Sequence, residues 1–217
     1  MPIDIEIWSD IACPWCMIGK RRFETALAAF EHRDEVTVTF RAFELDPEAP
    51  AERRGDHTAL LARKYGMSLE QAQALHDQMT AVAAAEGVAF DFAQVRSGST
   101  FDAHRLVRLA AEHGLQHAMK DRLMRAYFGE GELMSDHDTL RRLAQEVGLP
   151  DAAVAETLAT DAYAAAVRED EATARAIGIS AVPFFVANRQ IGAAGAQDPE
   201  ILLGFLTEAH GRAHDGG

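Results

Sequence analysis

Apolar and polar residues alternate from the start of the chain: Ile3, Ile5 and Ile7 stand against Asp4 and Glu6 in IDIEIW. The same period of two returns in VTVTFRAF, residues 36–43, with Val36, Val38 and Phe40 on one side. Period two predicts strands. Between the two runs, Phe23, Ala26, Leu27 and Phe30 recur at the spacing of one helix face, so a helix starts near residue 13 and ends before Asp34. A strand, a helix and a second strand, joined by a connection this long, predict two parallel neighbours in one sheet.

After LDPEAP, residues 45–50, the texture changes: alanine becomes abundant, β-branched runs vanish and helix signals follow one another. Ser68 with Gln71 makes a capping box at a helix start. Leu106, Val107 and Ala110 mark one helix; Leu140, Leu143, Ala144 and Val147 mark another that stops at Gly148 with Pro150 beyond. Gly129 and Gly131 interrupt the run between two helices. Strand texture returns in AVPFFVANRQIGAAGAQ, residues 181–197, where Phe184, Phe185 and Val186 lead through the turn former Asn188 to Gln190 and Ile191, a β-hairpin. A last helix runs from Pro199 to about Glu208 behind Asp198, with Ile201, Leu202, Phe205 and Leu206 on one face. The strands come from both ends of the chain, which predicts an α/β fold with a helical insertion. Residues 1–48 and 161–213 form one discontinuous domain on this reading and residues 49–160 the inserted one.

Composition narrows the function classes. A chain of 217 residues is long enough to bury a core without disulfide staples. Its net charge of −13 argues against a nucleic-acid partner, since polyanion binding needs a concentrated positive patch. The densest basic cluster, GKRRF at 19–23, reads as the charged side of an amphipathic helix. No apolar run approaches the roughly 18 residues needed to cross a bilayer, and MPIDIEIW enters a strand pattern at once, with no room for a signal segment. A soluble, cytoplasmic protein in a reducing setting is expected, with no membrane partner.

The chemistry lies in SDIACPWCMIGKRRF, residues 9–23, which holds the only two cysteines, Cys13 and Cys16, with Pro14 and Trp15 between them. Cys13 falls just after a strand and at the start of a helix, where unpaired N–H groups and the macrodipole favour a thiolate. Pro14 is tolerated in the first turn because it has no N–H to lose there. Cys16, one turn further in, is placed to resolve. Three readings stay open on the residues alone: a redox pair, a metal site, or two ordinary buried thiols. Structural zinc takes four ligands, and there is no second cysteine pair; the nine histidines read as scattered, so no metal is expected. His104, in FDAHRL, reads as a packing or surface histidine before a proton shuttle. In GISAVPFF, residues 178–185, Pro183 directly precedes an apolar strand, and a cis Val182–Pro183 bond would hold backbone close to the cysteines.

CPWC after an N-terminal strand, with a downstream Val-Pro before a hairpin, resembles the thioredoxin superfamily, and the helical block between them resembles its DsbA-like branch. The segments IWSDIACPWCMIGKRRF, FELDP, FDAHRL, AYFGEG and GISAVPFFVANRQIGAAGAQ are similar to the FrnE-like members. These are related to 2-hydroxychromene-2-carboxylate isomerase and kappa-class glutathione transferase. The resemblance implies a thioredoxin fold with a large all-helical insertion. It implies Cys13 as the attacking cysteine, Cys16 as the resolving one and Pro183 as the cis-proline facing them, with Val182 offering backbone hydrogen bonds to a substrate strand. The glutathione-using relatives typically place a serine where Cys13 stands and lack the second cysteine; Met17 stands where many FrnE-like members have an aromatic residue.

The expected activity is thiol–disulfide exchange on protein or small-molecule disulfides, isomerisation included, with no metal or organic cofactor and with glutathione as a candidate redox partner. Asp10 and Glu44 are the acidic residues nearest by motif to serve Cys16 as proton acceptor, although both fit surface or capping roles as well. Two other functions stand beside it: a glutathione-dependent isomerase or transferase on a small aromatic substrate, and a non-catalytic interaction module in which the cysteines are incidental.

Overall fold

A computed structural model describes residues 2–215, with the backbone alone at 215. The chain separates into two compact units: residues up to Phe43 together with those from Arg168 onward, and Glu44–Val167.

The first unit carries the sheet. Strand β1 (Ile3–Ser9) leads through a turn into helix α1 (Pro14–Ala29), then a 3₁₀ turn at Arg33–Glu35 and β2 (Val36–Ala42). The four strands lie in the order β2-β1-β3-β4, with β3 (Phe184–Ala187) and β4 (Ile191–Ala194) from the far end of the chain. β1 and β2 are parallel in the register Ile5 to Val38, as the crossover length requires, whereas β3 runs antiparallel to both β1 and β4. Asn188 and Arg189, at φ 50° and 54°, close the hairpin with Gln190 N–H donating to the Ala187 carbonyl. Two successive left-handed residues are what a type I′ turn needs to match strand twist.

Both faces of this sheet are covered. Ile5, Ile7, Phe40 and Phe185 line one face, where Phe23 of α1 stacks on Phe185 with ring centroids 5.4 Å apart; α1 packs there against α9 (Pro199–Asp215). On the other face the fully buried Trp8 donates its indole N–H to the Asp170 carbonyl of α8 (Ala164–Ala176) at 3.0 Å. Glu6, which alternates with Ile5 and Ile7, is itself buried on that second face. It is tolerated because Arg41 (2.6 Å) and Arg189 (3.0 Å) pair with its carboxylate. Burial pushes this carboxyl up, but the hydrogen bonds from Arg189 and Arg41 and their charges outweigh it and hold the group below its ordinary value.

The second unit is all helix: α2 (His57–Tyr65), α3 (Leu69–Ala85), α4 (Phe101–Glu112), α5 (Gln116–Gly129), α6 (His137–Glu146) and α7 (Asp151–Ala159). The capping box at Ser68 forms in both directions, with Gln71 N–H on the Ser68 hydroxyl and Ser68 N–H on the Gln71 amide. Arg105 of α4 is buried and donates to the Ala162 carbonyl at 2.8 Å and to those of Thr157 and Thr160, so one guanidinium satisfies the carbonyls at the end of α7. Its Asp102 partner at 2.7 Å balances the charge. His57, His76, Phe90, Phe92 and Phe128 form an aromatic cluster in this unit.

Two sequence expectations change. Helix α9 continues past Glu208 to Asp215, because Ala209 and Ala213 extend the buried stripe of Leu202, Phe205 and Leu206. The histidines are not all scattered: His210 and His214 stand one turn apart on that extension.

Candidate active site

The turn Asp10–Ala12 delivers Cys13 from the end of β1 to the N-cap of α1, with Pro14 as the first helical residue. Asp10 shapes this turn: it is buried, and its Oδ1 accepts the Ala12 N–H at 3.4 Å. The Cys13 side chain makes no capping bond of its own, whereas its carbonyl accepts Cys16 N–H at 3.1 Å. Both cysteines are buried and neither is in a disulfide, while Trp15 between them is 39% exposed.

Across from Cys13 lies the segment before β3. The Val182–Pro183 peptide is cis, and the Cys13 thiol donates to the Val182 carbonyl at 3.6 Å. The fold therefore brings Cys13, Val182 and Pro183 together from opposite ends of the chain, with Pro14, Trp15 and Cys16 following on the first turn of α1. Glu44 and His104 belong to the second unit, where both are buried, His104 within α4.

Sequence reasoning missed the parts that hold this apposition. A Cβ built on Gly19 would lie 2.8 Å from Pro183 Cγ and 3.4 Å from both Cα and Cβ of Ala196. Only a residue without a side chain lets α1 approach the proline this closely. Gly195 N–H donates to the Pro183 carbonyl at 2.8 Å, so the strap after β4 is tied to the proline. Arg22 fastens the strap to α1, donating to the Ala196 carbonyl at 2.8 Å and pairing with Asp198 at 2.9 Å. The small residues of GAAGAQ, residues 192–197, carry no pattern that names the proline as their partner.

The profile of the DSBA-like thioredoxin domain matches residues 4–207 of this chain. A probable DsbA oxidoreductase from Streptomyces coelicolor is 47% identical, and its crystal structure superposes with a TM-score of 0.92 over 96% of this chain and 90% of that one. The uncharacterised protein YwbO of Bacillus subtilis (strain 168) is 30% identical over 199 residues, 90% of this chain and 92% of its own. The cytosolic disulfide reductase DsbM from Pseudomonas aeruginosa, solved with GSH, shares the fold at a TM-score of 0.64 and 17% identity, covering 94% of this chain and 98% of that one.

Proposed function

Since the chain belongs to the DSBA-like thioredoxin domain family, we propose that it is a thiol–disulfide oxidoreductase in which Cys13 attacks and Cys16 resolves. The observation that carries this reading is the placement of the Cys13 sulfur at the N-cap of α1, 3.6 Å from the carbonyl that precedes the cis-proline. A helix N-terminus favours negative charge, and the thiolate is the attacking species.

In the reductive direction, the Cys13 thiolate attacks one sulfur of a partner disulfide. The partner's S–S bond breaks, a mixed disulfide forms, and the departing thiolate takes a proton from solvent. Cys16 then loses its proton and attacks the Cys13 sulfur, which forms the Cys13–Cys16 disulfide and expels the second partner thiol. Two electrons pass from the protein to its partner, and the reverse sequence oxidises a dithiol. Pro14 keeps the first turn helical, and Trp15 offers an exposed apolar surface beside the sulfurs for a substrate chain. Val182, whose carbonyl already accepts from Cys13, supplies the backbone edge to which an extended peptide adds as a strand, with Pro183 setting its position.

Protein disulfides or glutathione serve as partners on this reading, and isomerisation follows when, after the first step, the released substrate thiolate attacks another substrate disulfide and the thiolate so freed, in place of Cys16, displaces Cys13. A cytoplasmic setting, with its glutathione pool, belongs to this reading; among the described residues no helix is long and apolar enough to cross a membrane.

The test is a trapping experiment. Cys16→Ser protein incubated with a disulfide substrate is expected to accumulate a mixed disulfide that reductant reverses, whereas Cys13→Ser protein forms none. Continued multiple turnover by Cys16→Ser on an aromatic substrate with glutathione would replace exchange by glutathione-dependent isomerisation.

A further inference from the structure

Away from the cysteines, the first unit gathers three imidazoles around one carboxylate. His32 caps the 3₁₀ turn whose last residue is Glu35, and His210 and His214 stand one turn apart on α9. His32 Nδ1 lies 3.5 Å from Glu35 Oε1, His210 Nε2 3.8 Å from the same oxygen, and His214 Nε2 3.7 Å from Oε2. We propose that Glu35, His32, His210 and His214 form a binding site for a divalent transition-metal ion of the zinc class.

The separations carry the first argument. Ligand bonds of about 2.0–2.2 Å in a tetrahedron place neighbouring donor atoms about 3.3–3.6 Å apart. The nitrogen-to-oxygen distances here sit at or slightly beyond that edge and are longer than a good N–H···O bond of about 2.9 Å. One ligand atom each from His32, Glu35 and His210 already fall within 4.8 Å of one another, and the partly exposed side chains close the rest by turning about their torsions.

The tautomer of His214 carries the second. Its Nδ1 lies 2.9 Å from the His210 carbonyl, and a carbonyl only accepts, so Nδ1 bears the proton. In the neutral ring Nε2 is then the lone-pair nitrogen, and it faces a carboxylate oxygen. A ligand histidine whose other nitrogen donates to a backbone carbonyl is the usual way a metal site fixes its rings.

His32 and His210 stack in parallel with centroids 3.9 Å apart, and His210 and His214 lie 4.1 Å apart. Two parallel rings cannot both hold one ion in their planes, so binding turns the His32 or His210 ring and breaks their stack. The ion would clip the end of α9 to the turn between α1 and β2. The sequence predicts no metal, on the ligand count around the cysteines and the scatter of the histidines; this site lies away from the cysteines and joins residues from both ends of the chain.

The test uses tag-free, full-length protein with both Cys13→Ser and Cys16→Ser, so that thiolates cannot take the metal. Co²⁺ is titrated by its visible d–d bands, and Zn²⁺ by competition with a chromophoric chelator. The expected result is one ion per chain, without sulfur charge-transfer bands, and a melting temperature that rises with metal concentration. His210→Gln with His214→Gln is expected to abolish binding, and Glu35→Gln to weaken it at least about tenfold, the scale on which losing even an outer-shell partner is felt. The pair His113→Gln and His117→Gln, at the same sequence spacing, is expected to leave it unchanged. No uptake at millimolar metal, or equal uptake after the His210 and His214 replacements, would overturn the proposal.

Discussion

Replacing Gly19 by alanine sets two effects of opposite sign against each other. In an exposed helix interior this substitution stabilises by about 1 kcal/mol, because glycine loses more backbone freedom on folding. At this position the new methyl would sit 2.8 Å from Pro183 Cγ, where ordinary contact begins near 3.4 Å, with Ala196 already at 3.4 Å on the other side. A methyl has no torsion by which to escape, and a proline ring has little. Either α1 or the Pro183 segment must therefore shift, and overpacking of this kind costs typically about 1–3 kcal/mol. The helix gain offsets part of that, so the expected net effect is a loss of up to about 2 kcal/mol. It is read as a lower urea midpoint at unchanged m-value. Because the shifted segment carries the Val182 carbonyl, the contact from Cys13 should lengthen too, and the rate of disulfide exchange should fall. A Gly19→Ala protein more stable than the parent by the full propensity gain, with exchange unchanged, would refute the reasoning and make Gly19 an ordinary helix position.

Acid should weaken the helical unit before it weakens the sheet. Burial first, and the neighbouring His76 second, lower the His57 pKa to about 4, with Asp56 opposing; the unfolded value is about 6.5. The folded state thus refuses a proton that the unfolded chain accepts, so His57's contribution is full above pH 6.5 and falls by about 2 kcal/mol on going to pH 5. Chemical unfolding at a series of pH values should show this slope, and His57→Asn should flatten it; an unchanged slope would mean that His57 titrates normally. Glu6 acts in a lower window: its lowered pKa gives stability that is present above about pH 4.3 and is lost as pH falls through the folded value. Glu6→Gln is expected to cost about 1–2 kcal/mol at neutral pH, since Arg41 keeps Asp170 at 3.3 Å and Arg189 is largely exposed. A variant as stable as the parent would show that the pair of arginines contributes nothing net.

Features that depend on neighbours in sequence were legible from the chain. The capping box of Ser68 and Gln71, the N-cap position of Cys13 and the turn at Asn188 each need only a few consecutive residues. The parallel pairing of β1 with β2 followed from crossover length, and the opposition of Pro183 to the cysteines was implied by resemblance to the DsbA-like branch. What depends on a partner far along the chain was not legible. Glu6 alternates with isoleucines, yet α8 covers its face and two arginines, one from β2 and one from the hairpin turn, make its burial tolerable. Gly19 looks like a weak point in a helix until Pro183 is set against it. His32 and Glu35 are a polar loop in sequence, and become a cluster only when α9 runs far enough to bring His210 and His214 beside them.

The most direct test of the proposed function is the redox equilibrium between Cys13 and Cys16 in glutathione buffers, read by the mass shift on alkylating the free thiols, with Cys13→Ser as control. The account predicts a reversible two-electron transition in which both thiols vanish together into one intramolecular disulfide, at a defined potential. A chain that forms no such disulfide at any poise, and instead accumulates a glutathione adduct on Cys13, would contradict it.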